Sequence, residues 1–78
     1  MNLYLLEQSV VRGYDTYDSC VVCAATTEEA RLIRPNRFGF KHGWPEGDDL
    51  NQVMVTFIGV ASSFVTAGSV VCSSFNAG

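Results

Sequence analysis

The stretch Gly13–Ile33 predicts a turn, a strand and a helix start in immediate succession, and it limits the possible folds of the chain more than any other segment. Its glycine tolerates positive φ angles, and the side chains of Asp15 and Asp18 can bond nearby backbone N–H groups, so the first part favours a turn. The run Ser19–Ala25 is small, apolar and β-branched, which is typical of a strand. This succession indicates a fold that mixes helix and sheet.

A short helix is expected to follow this strand. Thr26 or Thr27 can cap its N-terminus, and Glu29 stands three residues after Thr26, as in a capping box. Pro35 ends the helix, because proline has no backbone N–H and disfavours helical backbone in the preceding residue. A helix of about two to three turns is not stable alone, so the sheet must stabilise it.

Three other segments are predicted to be strands, namely Leu3–Val11, Val53–Ala61 and Ser69–Phe75. We expect the first of them to lie in the centre of the sheet or to pair early. The segment Asn36–Gln52 has no apolar periodicity and is predicted to be a long loop. The fold class is therefore α+β, with the order β-β-α-β-β in a single domain over residues 1–78. It has a mostly antiparallel sheet of about four strands, with one short helix on one face.

The apolar surface of this sheet must be covered. Several of the predicted strands are apolar on both faces, whereas one short helix can cover only part of one face. Exposed apolar patches on monomeric proteins rarely exceed a few hundred Å². We therefore expect the long loop to cover the remaining surface, or a second copy of the chain to cover it in a homodimer.

Charge and composition exclude several classes of function. The formal net charge is −3, whereas binding to nucleic-acid phosphates needs a basic footprint, so direct nucleic-acid binding is not expected. An acidic chain suits a basic protein partner, such as the DNA-binding channel of another protein. No signal peptide and no membrane-spanning apolar run are recognisable. Three cysteines do not suit a secreted disulfide scaffold, so the sequence predicts a cytoplasmic protein with reduced thiols.

No residue pattern predicts catalysis or a metal site. Cys20 and Cys23 have CxxC spacing, but they fall within a predicted strand, where residues three apart point to opposite faces. Cys72 and His42 would complete a set of four zinc ligands, although their spacing is not typical of zinc sites. His42 has no nucleophile or orienting carboxylate that the sequence places beside it. We expect buried structural cysteines, no cofactor and no enzymatic activity; whether these four side chains meet in space stays open.

Two loops carry the residues predicted to bind a partner. The loop Arg12–Ser19 is aromatic and acidic, and the second lies within Asn36–Gln52. Aromatic residues and arginine are frequent anchors at protein interfaces, and carboxylates complement a basic partner. The candidate partner-binding residues are Tyr14, Asp15, Tyr17, Asp18, Arg37, Trp44, Glu46, Asp48 and Asp49. The structural alternative is that the tyrosines fold back on the core and the other aromatic residues pack over the sheet edge, with the charges in solvent.

A nucleic-acid alternative depends on the mixture of basic and aromatic residues in Arg31–Trp44. Bases of single-stranded nucleic acid can stack on aromatic rings while cations contact the phosphates. Arg34, Arg37, Lys41 and Trp44 would carry this activity. The acidic balance of the whole chain opposes it.

Several segments resemble a family of small proteins from tailed phages and prophages. They are LYLLEQSVVRGYDTYDSCVVCA, TTEEARLI, VMVTFIGVA and VVCSSFNAG, and the resemblance fades in Asn36–Gln52. The resemblance implies a phage origin and little about chemistry. Small acidic phage proteins of this size include anti-CRISPR proteins, which bind and block a host nuclease complex, and this function is expected here by analogy of class.

The leading hypothesis is therefore a non-enzymatic phage inhibitor that binds a host defence complex, most specifically an anti-CRISPR that occupies the DNA-binding channel of a CRISPR surveillance complex. The residues expected to mimic phosphate charge are Asp15, Asp18, Glu46, Asp48 and Asp49, and those expected to anchor the contact are Tyr14, Tyr17 and Trp44. The alternative from another class is a phage accessory or assembly protein that acts by oligomerising. The third is the single-stranded nucleic-acid binder described above.

Overall fold

The structure, a computed structural model, describes residues 1–35 and 43–76. The four strands are β1 (Asn2–Glu7), β2 (Thr16–Ala24), β3 (Met54–Val60) and β4 (Val70–Asn76). A short helix, α1 (Thr27–Arg31), follows β2, and a 3-10 helix, Gly47–Gln52, precedes β3. This order confirms the predicted α+β class and adds the 3-10 helix, which lies within the segment predicted to be a loop.

The four strands form one antiparallel sheet in the order β3-β1-β2-β4. The prediction that the first strand is central is confirmed, because β1 pairs with both β2 and β3. It ends at Glu7, earlier than predicted, because the side chain of Gln8 turns the chain. Its Nε2 donates to the carbonyl oxygens of Val11 and Tyr17 at 2.8 and 2.6 Å, and its Oε1 accepts from the Val11 N–H.

Helix α1 starts as predicted and ends sooner. The Thr26 side chain caps it by accepting from the Glu29 N–H at 3.1 Å, and the Glu29 carboxylate accepts from the Ala25 N–H at 3.3 Å. The guanidinium of Arg31 donates to the carbonyl oxygens of Leu50 and Val53, which ties the end of the helix to the approach to β3. The short helix is thus held by tertiary contacts, as its length requires.

One face of the sheet carries the core. Strand alternation places Tyr4, Leu6, Cys20 and Val22 on the side that α1 covers, and all four side chains are buried. The other buried members of this core are Ala24, Ala30, Trp44 and Val53. The helix therefore covers one face of the sheet, as predicted, and the opposite face has no helix against it among the described residues.

Both edge strands contain a bulge. The register between β1 and β3 shifts at Leu3/Tyr4, which leaves Ile58 as the extra residue of β3. The register between β2 and β4 shifts at Val21/Val22, which leaves Val71 as the extra residue of β4. A bulge bends its strand and increases the local twist, so both outer edges are irregular.

Gly43 is required where the chain returns to β2. Its carbonyl oxygen accepts from the Tyr17 N–H at 2.9 Å, and a Cβ at this position would lie 3.0 Å from the backbone oxygen of Asp15. A backbone neighbour cannot move aside as the end of a flexible side chain can.

We expect Gly43→Ala to lower the free energy of unfolding by about 1–3 kcal/mol through this overlap. Urea denaturation measures the change. Gly59→Ala is the matched control, because a Cβ at Gly59 meets nothing within 4 Å, and it should change the midpoint little. If both variants lowered the free energy of unfolding equally, the close approach of Gly43 to the Asp15 backbone would not be the cause of the loss.

Candidate partner-binding surface

One end of the sheet gathers the acidic residues of the chain. Because the strands are antiparallel, the end of β1, the starts of β2 and β3 and the end of β4 all lie there. We call it the acidic end. Its carboxylates are Glu7, Asp15, Asp18, Glu46, Asp48 and Asp49, whereas the remaining two of the eight, Glu28 and Glu29, lie in the first turn of α1.

The segment 43–53 places the second group of these acids at this end. It starts beside β2, where Gly43 is bonded to Tyr17, and it leads into the first residue of β3. Asp48 and Asp49 occupy the first turn of the 3-10 helix in between, and both are exposed. The two acidic segments, which are far apart in the sequence, therefore lie at the same end of the sheet. The predicted boundary of the first one is wrong, because β2 begins at Thr16, so Tyr17 and Asp18 lie in the strand and not in a loop.

The carboxylates of the acidic end differ in whether they form an ion pair. Arg34 Nη2 lies 2.7 Å from Glu46 Oε1, so the charge of Glu46 is partly neutralised. The other five, Glu7, Asp15, Asp18, Asp48 and Asp49, are exposed and have no ion pair within residues 1–35 and 43–76. Glu7 was not among the predicted site residues. As the last residue of β1 it was identifiable only once the strand ends were known.

The loop that carries Asp15 is held in a defined shape. Asp15 has a positive φ of 60°, and its N–H donates to the Asn76 carbonyl at 2.6 Å. The buried Thr16 hydroxyl and the Asn76 amide both donate to the Gly13 carbonyl, at 2.8 and 2.9 Å. The end of β4 therefore fixes the turn between β1 and β2, so the backbone that carries Asp15 is ordered.

The three predicted aromatic anchors have different surroundings. Tyr14 is 76% exposed beside the acids and remains available to a partner. Tyr17 packs against Phe75, with ring centroids 4.7 Å apart, and against the core, as the structural alternative predicts. Trp44 is 1% exposed, so the prediction that it anchors a partner is wrong. It fills the space between the sheet and the segment 43–53, where burial of its large ring stabilises the fold more than exposure would.

Only some of the residues expected to bind nucleic acid lie among those that the structure describes. Arg34 is paired with Glu46, and Trp44 is buried, so neither offers a free contact to a nucleotide. The predicted partner-binding residue Arg37, like Lys41 and His42, lies outside the described residues. Single-stranded binding therefore gains no support from the residues that are described.

A cleft lies between the end of β1 and the start of β3. It has a volume of about 240 Å³ and is lined by Glu7, Gln8, Ser9, Gln52 and Met54. It is open and shallow, and its lining offers a carboxylate and two amides but no nucleophile paired with a base. The cleft suits contact with a protruding side chain of a partner.

The cysteines are free thiols in two environments. Cys20 and Cys23 are buried, as expected, whereas Cys72 is exposed, so the prediction of burial is wrong for Cys72. Strand alternation separates Cys20 from Cys23, since Cys20 belongs to the core face and Cys23 to the other face, where its thiol lies 4.0 Å from the Val65 carbonyl. Within residues 1–35 and 43–76, no three His, Cys, Asp or Glu side chains come together as metal ligands.

Native labelling with a maleimide at low protein concentration should modify one thiol per chain, Cys72. Burial, with a smaller effect of nearby Cys72, raises the pKa of Cys20 from 9.0 to about 12, so its reactive thiolate is scarce at neutral pH. Unfolding in guanidinium should expose all three cysteines. Mass spectrometry counts the labels, and rapid native labelling of Cys20 would contradict its burial.

The raised pKa of Cys20 also predicts a pH dependence of stability. Because the thiol of the unfolded chain loses its proton at a lower pH than the buried thiol, the free energy of unfolding should fall as the pH rises above about 9.

Comparison of the chain with protein-family models, with curated proteins and with solved structures finds no match. The resemblance to small phage proteins therefore stays a prediction. In the parts of the chain that are described, no helix is long and apolar enough to cross a membrane.

Proposed function

We propose that this chain is a non-enzymatic, phage-encoded inhibitor that binds the basic DNA-binding channel of a host defence complex. In its most specific form, the proposal is that the chain is an anti-CRISPR protein, which blocks the binding of target DNA by a CRISPR surveillance complex. The observation that supports this proposal is the acidic end, which combines five exposed carboxylates that have no ion pair among the described residues with the exposed ring of Tyr14.

Electrostatics favours a basic partner for this surface. Each channel that holds DNA presents lysine and arginine side chains to phosphates, and a surface of opposite sign is attracted to it over about 8 Å at physiological ionic strength. The chain offers carboxylates from segments that are far apart in the sequence but lie at one end of the sheet. Their ordered backbone lowers the entropy cost of binding.

Tyr14 supplies the apolar part of the contact. It lies two residues before β2, in the connection from β1, and is 76% exposed. A tyrosine ring buries a large area at a small entropic cost, and its hydroxyl can bond a charged partner. With Trp44 in the core, Tyr14 is the most exposed aromatic residue among those described at this end of the sheet.

Capture from a host with an active CRISPR system tests the proposal. The tagged full chain should recover a surveillance complex at a fixed stoichiometry, and the recovered complex should no longer bind its target DNA. Complex loaded with target DNA beforehand should not be captured, because both ligands need the same channel. Capture that DNA does not impede, or recovery of phage structural proteins alone, would contradict the proposal.

The second candidate, an accessory protein that acts by oligomerising, is favoured by a different observation. Neither β3 nor β4 contains a charged residue, and most of their residues are exposed. Assemblies larger than a dimer in solution, together with no captured host protein, would favour this candidate.

A further inference from the structure

The cleft between the end of β1 and the start of β3 combines a carboxylate with an apolar side chain. Glu7 and Met54 are paired residues of the two strands, so their side chains leave the same face of the sheet with Cβ atoms about 5 Å apart. Met54 is 65% exposed, and Glu7 is exposed and has no ion pair among the described residues. A ligand in the cleft can therefore contact a negative charge and a flexible apolar surface together.

The amide of Gln8, which also lines the cleft, is held by the chain itself. Its Nε2 donates both of its hydrogens, to the carbonyl oxygens of Val11 and Tyr17, and its Oε1 accepts from the Val11 N–H. The donors of this amide are therefore used, whereas its oxygen keeps a second lone pair. The Gln8 N–H donates to the Asp18 carbonyl at 3.1 Å, so the backbone next to Glu7 is fixed as well.

The polar lining of the cleft offers more hydrogen-bond acceptors than donors. The Glu7 carboxylate only accepts, and the donors of Gln8 are already used. The other polar groups of the lining, the Ser9 hydroxyl and the Gln52 amide, can both accept. None of the described residues that line the cleft is a lysine, an arginine or a histidine. A ligand that complements this lining brings N–H donors and a positive charge.

We propose that this cleft is a binding site for one arginine side chain, which the basic partner supplies. The guanidinium bonds the Glu7 carboxylate, and the methylene stem packs against Met54. This inference rests on the function proposed above for the identity of the partner, and it names the contact by which the partner is recognised.

Arginine suits the cleft better than other side chains do. Its planar guanidinium can bond both oxygens of one carboxylate and still has N–H donors for the amide oxygens nearby, whereas the ammonium of lysine is compact and more strongly hydrated. An apolar side chain would remove water from the Glu7 carboxylate without replacing its hydrogen bonds, and an anionic group would be repelled.

The openness of the cleft sets the expected strength. Exposed ion pairs contribute little, because water and salt screen them. A single arginine derivative should therefore bind the chain with a Kd of the order of 10 mM. Such a contact orients a larger interface and does not hold the partner alone.

Nuclear magnetic resonance of the isotope-labelled full chain tests the site without any host complex. Titration with N-acetyl-arginine amide at constant ionic strength should shift the backbone signals of Glu7 and Met54 and the side-chain amide signal of Gln52 until they saturate. N-acetyl-citrulline amide is the matched ligand, because it has nearly the same shape but no charge, and it should not shift them. N-acetyl-lysine amide should bind several-fold more weakly than the arginine derivative.

Two variants test the roles of the two side chains. Glu7→Gln keeps the size of the side chain and removes its charge, so saturable binding should be lost. Met54→Ala should weaken binding about threefold, because the methylene stem loses its apolar contact. Glu28→Gln is the matched control, because Glu28 is an exposed carboxylate in the first turn of α1, and it should bind arginine as the native chain does.

The outcomes separate this inference from the function on which it rests. Saturable, arginine-specific shifts that Glu7→Gln removes would support the site, even if no defence complex were captured and the proposed function failed. Equal shifts with the citrulline derivative, or shifts that Glu7→Gln leaves unchanged, would overturn the inference. Capture of a defence complex that is equally strong with the native chain and with Glu7→Gln would also overturn it, while the proposed function would stand.

Discussion

Trp44→Ala is expected to leave most of the chain unfolded in water. Trp44 is among the largest side chains that are fully buried, and it contacts a core built from few residues. Truncation of a buried tryptophan to alanine costs about 3–5 kcal/mol. A domain of this size rarely has more than about 5 kcal/mol of stability in total. Circular dichroism and urea denaturation should therefore show little cooperative unfolding.

Two controls separate packing from other effects of this substitution. Trp44→Phe should cost far less, because it keeps an aromatic ring and removes an indole N–H that is buried without an acceptor among the described residues. Phe64→Ala should be nearly neutral, because Phe64 is 95% exposed. Native stability of Trp44→Ala would contradict the structural role that the burial of Trp44 assigns to it.

Reversing two charges at the acidic end is expected to abolish inhibition while leaving the fold intact. Asp18→Lys with Asp48→Lys changes one residue at the start of β2 and one in the 3-10 helix, and both are exposed. Lysines set against a basic channel replace attraction by repulsion, so we expect binding to the captured complex to weaken about 100-fold or more. Native binding should also weaken as salt rises, because exposed charges are screened.

The control is a variant with the same change in net charge at the opposite end of the molecule. Glu28→Lys, Ser63→Lys and Ala67→Lys lie at exposed positions away from the acidic end. This variant should keep its affinity within a few-fold. Equal loss in both variants would mean that net charge alone governs binding, and no loss in either would contradict charge mimicry.

Much of the fold is predictable because local patterns and packing agree. The turn glycine, the β-branched run of β2 and the Thr26 cap all predict what the structure contains. The helix end is less predictable, since Arg31 is held by carbonyl groups that follow it by about 20 residues in the sequence. The 3-10 helix has no apolar periodicity from which it could be identified.

The candidate surface is predictable only in part, because its geometry depends on strand order. Asp15, Asp18, Asp48 and Asp49 are recognisable as exposed loop acids, but their gathering at one end follows from the antiparallel register. A sequence pattern cannot decide whether an aromatic residue in a loop points inward. Trp44 follows Gly43, whose close contact with β2 turns this part of the chain toward the core.

The strand order has a kinetic consequence. The central pair β1 and β2 can form early as a hairpin, but each outer strand must return over a long stretch of chain, and residue 76 finally pairs with residue 16. Closing such long loops slows folding to the range of about milliseconds to seconds. Until β4 docks, the unpaired side of β2 is exposed to other chains. The yield of folded protein should therefore fall at high chain concentration, both during synthesis on the ribosome and during refolding. This loss is expected even under conditions in which the folded protein itself is stable.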